Sequence, residues 1–213
     1  MTPGYIFDLD GTLLDTLDSL ANSFNRVLKA FGHPPHPVES YRYFVGDGLR
    51  ACVERCLPEG ALTEETVLRF MEAQQVDYAA TWDTAAPYDG VIDLVDDLVR
   101  QGAQLAVLSN KNHEFTVRCI EHYFPGRFEI VQGFSGQFPH KPDPAGARWV
   151  CDSLGLAPAN VSFVGDTATD IRTAVACGNV AVGVLWGFRD ADELTSAGAH
   201  RLIGSPAQLM EEP

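Results

Sequence analysis

From Pro87 to Leu185 the sequence alternates apolar runs of strand length with stretches whose apolar residues recur at helical spacing, and few folds tolerate that pattern. It predicts a helix over 91–101 stopped by Gly102, a strand over Gln104–Asn110, a helix over 113–123 and a strand over 128–133. A helix over 144–155, a strand over Val161–Asp166, a helix over 169–177 stopped by Gly178 and a strand over Val180–Leu185 complete it. Strands joined through single helices pair in parallel with right-handed crossovers, so a doubly wound sheet is implied. One further strand, Tyr5–Asp10, stands apart at the start and ends abruptly in carboxylates followed by Gly11-Thr12. Between it and the rest the grammar is helical: Leu17, Leu20, Phe24, Val27, Leu28 and Phe31 share one face before Gly32 and Pro34-Pro35 stop it, and helices follow over 49–57 and 63–80. The expected fold class is α/β, a Rossmann-like parallel sheet core with helices on both faces, built from 1–15 and 84–213, with an inserted α-helical domain over 16–83.

Composition narrows the partners. The 213 residues hold 15 Lys and Arg against 29 Asp and Glu, a formal net charge of −14, and nothing reads as a basic stripe. Nucleic acid and anionic membranes are therefore not expected as partners, whereas a small anionic metabolite is not excluded. No apolar run approaches the ~20 residues of a membrane span. Met1-Thr2-Pro3-Gly4 leads straight into strand pattern and leaves no room for a signal peptide, so a cytoplasmic location is expected. The five cysteines, Cys52, Cys56, Cys119, Cys151 and Cys177, form no C-x-x-C pair and read as reduced, buried thiols. Phe24, Phe31, Phe70 and Trp82 read as core, and Trp186-Gly187-Phe188-Arg189 as a strand exit packing the last helix.

Doubly wound sheets bind ligands at the carboxyl ends of their strands. Those positions hold Asp8 and Asp10, then Ser109-Asn110-Lys111, then His140-Lys141-Pro142, then Gly165-Asp166 with Asp170. Four carboxylates around one lysine would carry about −3 and call for a cation. Mg²⁺ is the expected one, because the donors are hard oxygens and no soft ligands are assembled with them. One carboxylate of the Asp-x-Asp pair can attack phosphorus while the other handles a proton; a neighbouring hydroxyl can hold phosphoryl oxygens and a lysine can neutralise developing charge. This is phosphoryl transfer without a P-loop.

The motifs Asp8-Leu9-Asp10-Gly11-Thr12, Leu108-Ser109-Asn110-Lys111, His140-Lys141-Pro142-Asp143-Pro144 and Val164-Gly165-Asp166-Thr167-Ala168-Thr169-Asp170 resemble, in order and across essentially the whole chain, those of the haloacid dehalogenase-like hydrolases. The helical insertion looks like that family's cap. Gly46-Asp47-Gly48-Leu49-Arg50 and Gly183–Arg189 look most like its phosphoglycolate phosphatases. The resemblance implies Asp8 as nucleophile forming an aspartyl-phosphate, Asp10 as acid/base, Ser109 and Asn110 as holders of phosphoryl oxygens, and Lys141 as neutraliser of the nucleophile. It further implies that Asp8, the Asp10 carbonyl and Asp166 coordinate Mg²⁺, with Asp170 ligating or orienting it through water. Asp170 could instead cap the following helix, and Ser109 could cap the one starting near His113. Thr12 would fix Asp10 or its loop at the substrate, Arg50 would meet a substrate carboxylate, and Lys111 would be a second cation in the cleft.

A small phosphorylated metabolite is the expected partner, 2-phosphoglycolate foremost, and the chain would act as a monomer or homodimer. A phosphatase or phosphomutase for a sugar phosphate, nucleotide or pyrophosphate is the nearest alternative. A phosphoacceptor signalling domain is the alternative from another class, but it has no use for Asp10. Carbon–halogen hydrolysis would need neither Asp10 nor Asp166. The G-x-G-x-x-A string from Gly46 to Ala51 does not read as a dinucleotide fingerprint, because helix and not strand follows it.

Overall fold

The computed structural model describes residues 3–211, so the reading of Met1-Thr2 as a mature start lies outside the described residues. The chain opens with strand β1 (Gly4–Phe7) and the two-residue strand β2 (Leu14–Asp15). Four helices follow: α1 (Leu17–Ala30), α2 (Tyr41–Phe44), α3 (Leu49–Cys56) and α4 (Glu64–Ala79). After β3 (Ala86–Pro87), which pairs antiparallel with β2, come α5 (Val91–Arg100), β4 (Gln104–Asn112), α6 (His113–Tyr123) and β5 (Ile130–Phe134). The remainder is α7 (Ala145–Leu154), β6 (Val161–Gly165), α8 (Ala168–Cys177), β7 (Val180–Val184), α9 (Ala191–Ser196) and β8 (Arg201–Ile203).

Six strands form one sheet in the order β5-β4-β1-β6-β7-β8, and every pairing in it is parallel. The chain winds outward from β1 through β4 to β5, then returns to the other side of β1 for β6, β7 and β8. The strand order therefore reverses at β1, and the crevice beyond its carboxyl end is where such a sheet takes a ligand.

The strands are apolar on both faces because both are covered by helices. Phe7, Leu105, Val107, Val164 and Val182 pack on one side with Val95 and Leu98 of α5 and Ile120 of α6. Their chain neighbours Ile6, Ala106, Leu108, Phe163 and Ala181 point the other way, onto Ala147 and Val150 of α7 and Ile171 and Ala174 of α8. The helical insertion has a third apolar cluster of its own: Leu17, Leu20, Phe24 and Leu28 of α1 meet Tyr41, Val53, Val67 and Phe70, with Phe115 and Phe188 joining from the sheet side. Phe24 and Phe70 are thus buried core aromatics, with rings stacked 6.2 Å apart, while Phe31 and Trp82 pack at the cluster's edge. All five cysteines are buried and free, as their scattered spacing suggested. Among the described residues no helix is long and apolar enough to cross a membrane.

Three details depart from the sequence reading. The first strand ends at Phe7, although the Asp8 amide still bonds the Val164 carbonyl at 3.0 Å; beyond it the chain tightens into a turn through Gly11. Strand β4 runs on to Asn112 because its register against β5 shifts between Leu108 and Asn112. The short elements α2, α9 and β8 carry too few residues for a periodic signal.

Candidate active site

Asp8, Asp166 and Asp170 meet beyond the ends of β1 and β6, each offering one oxygen within 4.8 Å of the others. Asp166 and Asp170 are fully buried and Asp8 is 6% exposed. One cation faces them directly: the Lys141 ammonium stands 2.9 Å from Asp8 Oδ1 and 2.6 Å from Asp170 Oδ1, and donates to the Leu108 carbonyl at 2.9 Å. Three buried carboxylates against one ammonium leave an excess of negative charge, and the carboxyls respond. Burial pushes Asp8 up to about 6 despite Lys141, and burial followed by repulsion from Asp170 and Asp8 drives Asp166 well above the usual carboxylate range.

Among the described residues, the donors to Asp166 are neutral. Its Oδ1 accepts from the Thr12 hydroxyl at 2.9 Å and its Oδ2 from the Phe188 amide at 2.9 Å. Thr12 is fully buried, and its own carbonyl accepts from Trp186 Nε1 at 3.0 Å. Of the roles expected for Thr12, contact with Asp10 or substrate is corrected, since it does not line the cavity; it fixes its own loop, which it ties to Asp166 and Trp186. Likewise Trp186-Gly187-Phe188-Arg189 is more than a strand exit, since it closes over Asp166. A Cβ on Gly187 would lie 2.3 Å from both Asp166 Cβ and the Gly11 carbonyl, and Gly11 itself has φ +83° with Asp166 packed against it. Oxygen-only donors, deep burial and a carboxylate with no cation of its own fit a hard divalent ion such as Mg²⁺ held by Asp8 and Asp166.

Asp170 takes the capping role read for it and adds a pairing with Lys141. Its Oδ2 accepts from the Thr167 amide at 3.1 Å and the Thr167 hydroxyl at 2.7 Å, completing the capping box of α8, while Oδ1 takes Lys141. Both oxygens are engaged, which suits orientation of Lys141 better than direct metal ligation.

A cavity of about 80 Å³ opens between this cluster and the helical insertion. Asp8, Asp10, Ser109, Asn110 and Lys111 form its floor, and Leu20, Phe24, Leu49, Gln74 and Tyr78 are among the residues that close it from above. Lys111 donates to both oxygens of Asp10, at 2.9 and 3.1 Å. Burial opposes the Lys111 charge, but Asp10 outweighs it and holds the ammonium above its usual range. The Ser109 hydroxyl accepts from the Lys111 amide at 3.3 Å, leaving its own proton for a ligand, and the cap of α6 is Asn112, not Ser109.

Two side chains expected to meet substrate are engaged elsewhere. Both amide hydrogens of Asn110 are committed, to the Gly46 carbonyl at 3.0 Å and the Lys141 carbonyl at 3.1 Å, while its Oδ1 accepts from the Lys141 amide at 2.8 Å. Its side chain has no donor left for a phosphoryl oxygen and instead ties the insertion to the lysine loop. Arg50 lies outside the cavity lining, on the surface, paired with Glu54 at 3.1 Å and Glu64 at 2.5 Å, so it is corrected from substrate contact to surface ion pair.

The sequence reading passed over Tyr78 and the full extent of the Val45–Gly48 loop. Tyr78 sat on the apolar face of α4, where only the polar Gln74 four residues earlier signalled a wet neighbour. The Asp47 carboxylate accepts from Thr169 Oγ1 at 2.7 Å and pairs with Arg55 at 2.5 Å; Arg189 donates to the Val45 carbonyl at 3.1 Å. The glycines on either side of Asp47 serve close approach: a Cβ on Gly48 would fall 2.6 Å from the His140 ring.

The family model for haloacid dehalogenase-like hydrolases matches residues 5–184. A phosphoglycolate phosphatase of Pseudomonas putida is 34% identical over 192 residues, 86% of this chain and 69% of its own length. A phosphoglycolate phosphatase of Psychrobacter arcticus is 30% identical over 200 residues, 89% of this chain and 86% of its own. Among solved structures, one from Lactobacillus delbrueckii subsp. bulgaricus superposes with a TM-score of 0.92 at 29% identity, covering 98% of this chain and 97% of that one. A predicted phosphoglycolate phosphatase from Haemophilus somnus gives 0.91 at 25% identity, covering 98% and 96%. The chain belongs to the haloacid dehalogenase-like hydrolases.

Three measurements check this geometry. Mg²⁺ at about 100 times its Kd should stabilise the fold by roughly 2.7 kcal/mol, about 5–10 °C in Tm for a chain of this size, and Asp166→Asn should lose that shift; an unmoved wild-type Tm would count against the cation site. Gly187→Ala, which must displace the Gly11 backbone and the Asp166 side chain, should cost about 1–3 kcal/mol by thermal melting, whereas Gly60→Ala, with nothing within 4 Å of the added carbon, should cost little. Arg50→Ala should leave KM for small phosphate esters within about twofold, as expected of an exposed ion pair.

Proposed function

We propose that the protein is a Mg²⁺-dependent phosphatase of small phosphate monoesters, with 2-phosphoglycolate as the leading substrate, acting through an aspartyl-phosphate on Asp8. The observation that carries this reading is the placement of Asp8: its Oδ1 is pinned by Lys141 at the floor of the cavity, and Asp10, two residues on, lines the same space. The phosphoglycolate phosphatases among the relatives support the substrate class.

An Asp8 carboxylate oxygen attacks phosphorus in line with the leaving oxygen, and the P–O bond to the leaving group breaks. Asp10 gives that alkoxide a proton, and the resulting carboxylate then takes one from the water that hydrolyses the acyl phosphate. Lys111, bonded to both Asp10 oxygens, holds the carboxylate in place for both transfers. Ser109 Oγ donates to a phosphoryl oxygen, and Lys141 screens the nucleophile from the incoming negative charge. The bound cation would supply Lewis-acid stabilisation of the phosphoryl oxygens, with Asp8 and Asp166 as its protein ligands. Residues 16–83 serve as the cap that excludes bulk water.

Cavity size favours a small substrate. One water needs about 10–15 Å³ of such space, so about 80 Å³ suits a short leaving group. Five buried free thiols fit a reducing compartment such as the cytoplasm.

Asp8→Asn should abolish release of phosphate from p-nitrophenyl phosphate, by at least about 1,000-fold, and EDTA should do the same to the wild type, with Mg²⁺ restoring it. Normal turnover by the variant would sink the mechanism. In a panel of small phosphate esters 2-phosphoglycolate should give the highest kcat/KM; indifference to it would remove the substrate and leave the class standing.

A further inference from the structure

We infer that the Tyr78 hydroxyl is a specificity determinant of this site, donating a hydrogen bond to a carboxylate oxygen on the leaving group. The inference rests on the phosphatase reading above and takes the place of the contact expected from Arg50.

Tyr78 sits in the last turn of α4 and is 2% exposed. Its ring packs edge-on against Phe115, centroids 5.1 Å apart, and the Lys111 ammonium lies 4.6 Å from its centre. The residue thus stands beside the Lys111–Asp10 pair and lines the cavity that holds Asp8 and Ser109. Its hydroxyl meets no acceptor among the described residues at hydrogen-bond geometry, the Lys111 ammonium being its polar neighbour, so the phenol proton is uncommitted. Buried hydroxyls are rarely left unpaired, and contact with Phe115 would be served equally by phenylalanine, so packing does not account for the oxygen. Burial pushes the phenol up to about 12, which keeps it a donor across the working pH range.

The chemistry of the surroundings selects the partner. The upper wall is mostly apolar, with Leu20, Phe24 and Leu49, so it offers few groups to a hydroxyl-rich sugar. Arg50 is on the outer surface, which leaves Lys111 as the cation lining the cavity. Two of its three N–H groups are accounted for by Asp10, and the third is directed at the phenol oxygen, which leaves the phenol's own hydrogen uncommitted. A phenol hydrogen presented beside an ammonium charge fits one oxygen of a carboxylate.

The test is Tyr78→Phe, assayed on 2-phosphoglycolate and on phenyl phosphate, which has no acceptor at that end. The ratio of kcat/KM for 2-phosphoglycolate to that for phenyl phosphate should fall about 10- to 100-fold, chiefly through KM, as for loss of a hydrogen bond to a charged group. Tm should hold or rise, since the variant removes a buried hydroxyl whose proton is uncommitted. A ratio unchanged from wild type would overturn the assignment of Tyr78 alone. Wild-type hydrolysis of phenyl phosphate without preference for 2-phosphoglycolate would overturn the substrate reading and the carboxylate partner with it. A variant that loses both activities equally would reassign the hydroxyl to the fold.

Discussion

Burying three carboxylates around one ammonium is the constraint on which the rest of this structure depends. A buried charge is tolerated only when it is paired and hydrogen-bonded. The fold meets that demand unevenly: Asp170 is satisfied on both oxygens by Thr167 and Lys141, Asp8 leans on Lys141 alone, and Asp166 is held by the neutral donors Thr12 and Phe188. Oxygens of Asp8 and Asp166 lie within 4.8 Å of each other, and these two acids would hold a cation. Negative charge across the chain describes its surface; the preference for an anionic ester arises locally, from Lys141, Lys111 and the ion the acids would hold.

The sheet supplies these positions because strand order reverses at β1, so that β4 and β6 flank it and their loops converge. Close approach does the remainder. Glycine at 11 and at 187 lets two loops close on Asp166 and on each other, where a side chain would collide with the Asp166 side chain or, at 187, with the Gly11 carbonyl. The apolar clusters on the two sheet faces hold these loop ends at fixed separation, and the third cluster, inside the insertion, sets the roof of the cavity.

Much of this was legible in the sequence, for identifiable reasons. The alternation of strands and helices after Pro87 gave the parallel sheet, and carboxylates at the ends of apolar runs marked the crevice. The partners of those residues were not legible, because pairing across the chain has no local signature. Thr12 reaches Asp166, 154 positions away, and Asn110 reaches back 64 to Gly46. Arg50 looked like a substrate contact because it follows the Gly46–Gly48 loop, yet helix geometry turns it onto Glu54 and the surface. Tyr78 was hidden by the opposite effect: an aromatic on a buried face reads as core until the empty space beside its hydroxyl is seen.

Asn110 has a consequence beyond the positions it fixes. A single amide spans the insertion and the catalytic floor, holding the Gly46 carbonyl with one hydrogen and the backbone of Lys141 with the other and with its oxygen. Lifting the insertion away from the sheet breaks the first of these and loosens the carboxamide that keeps the Lys141 loop in place. One side chain thus restrains both the roof and the charged floor, so that losing its hold on Gly46 would also leave Lys141, and the Asp8 carboxylate paired with it, less restrained.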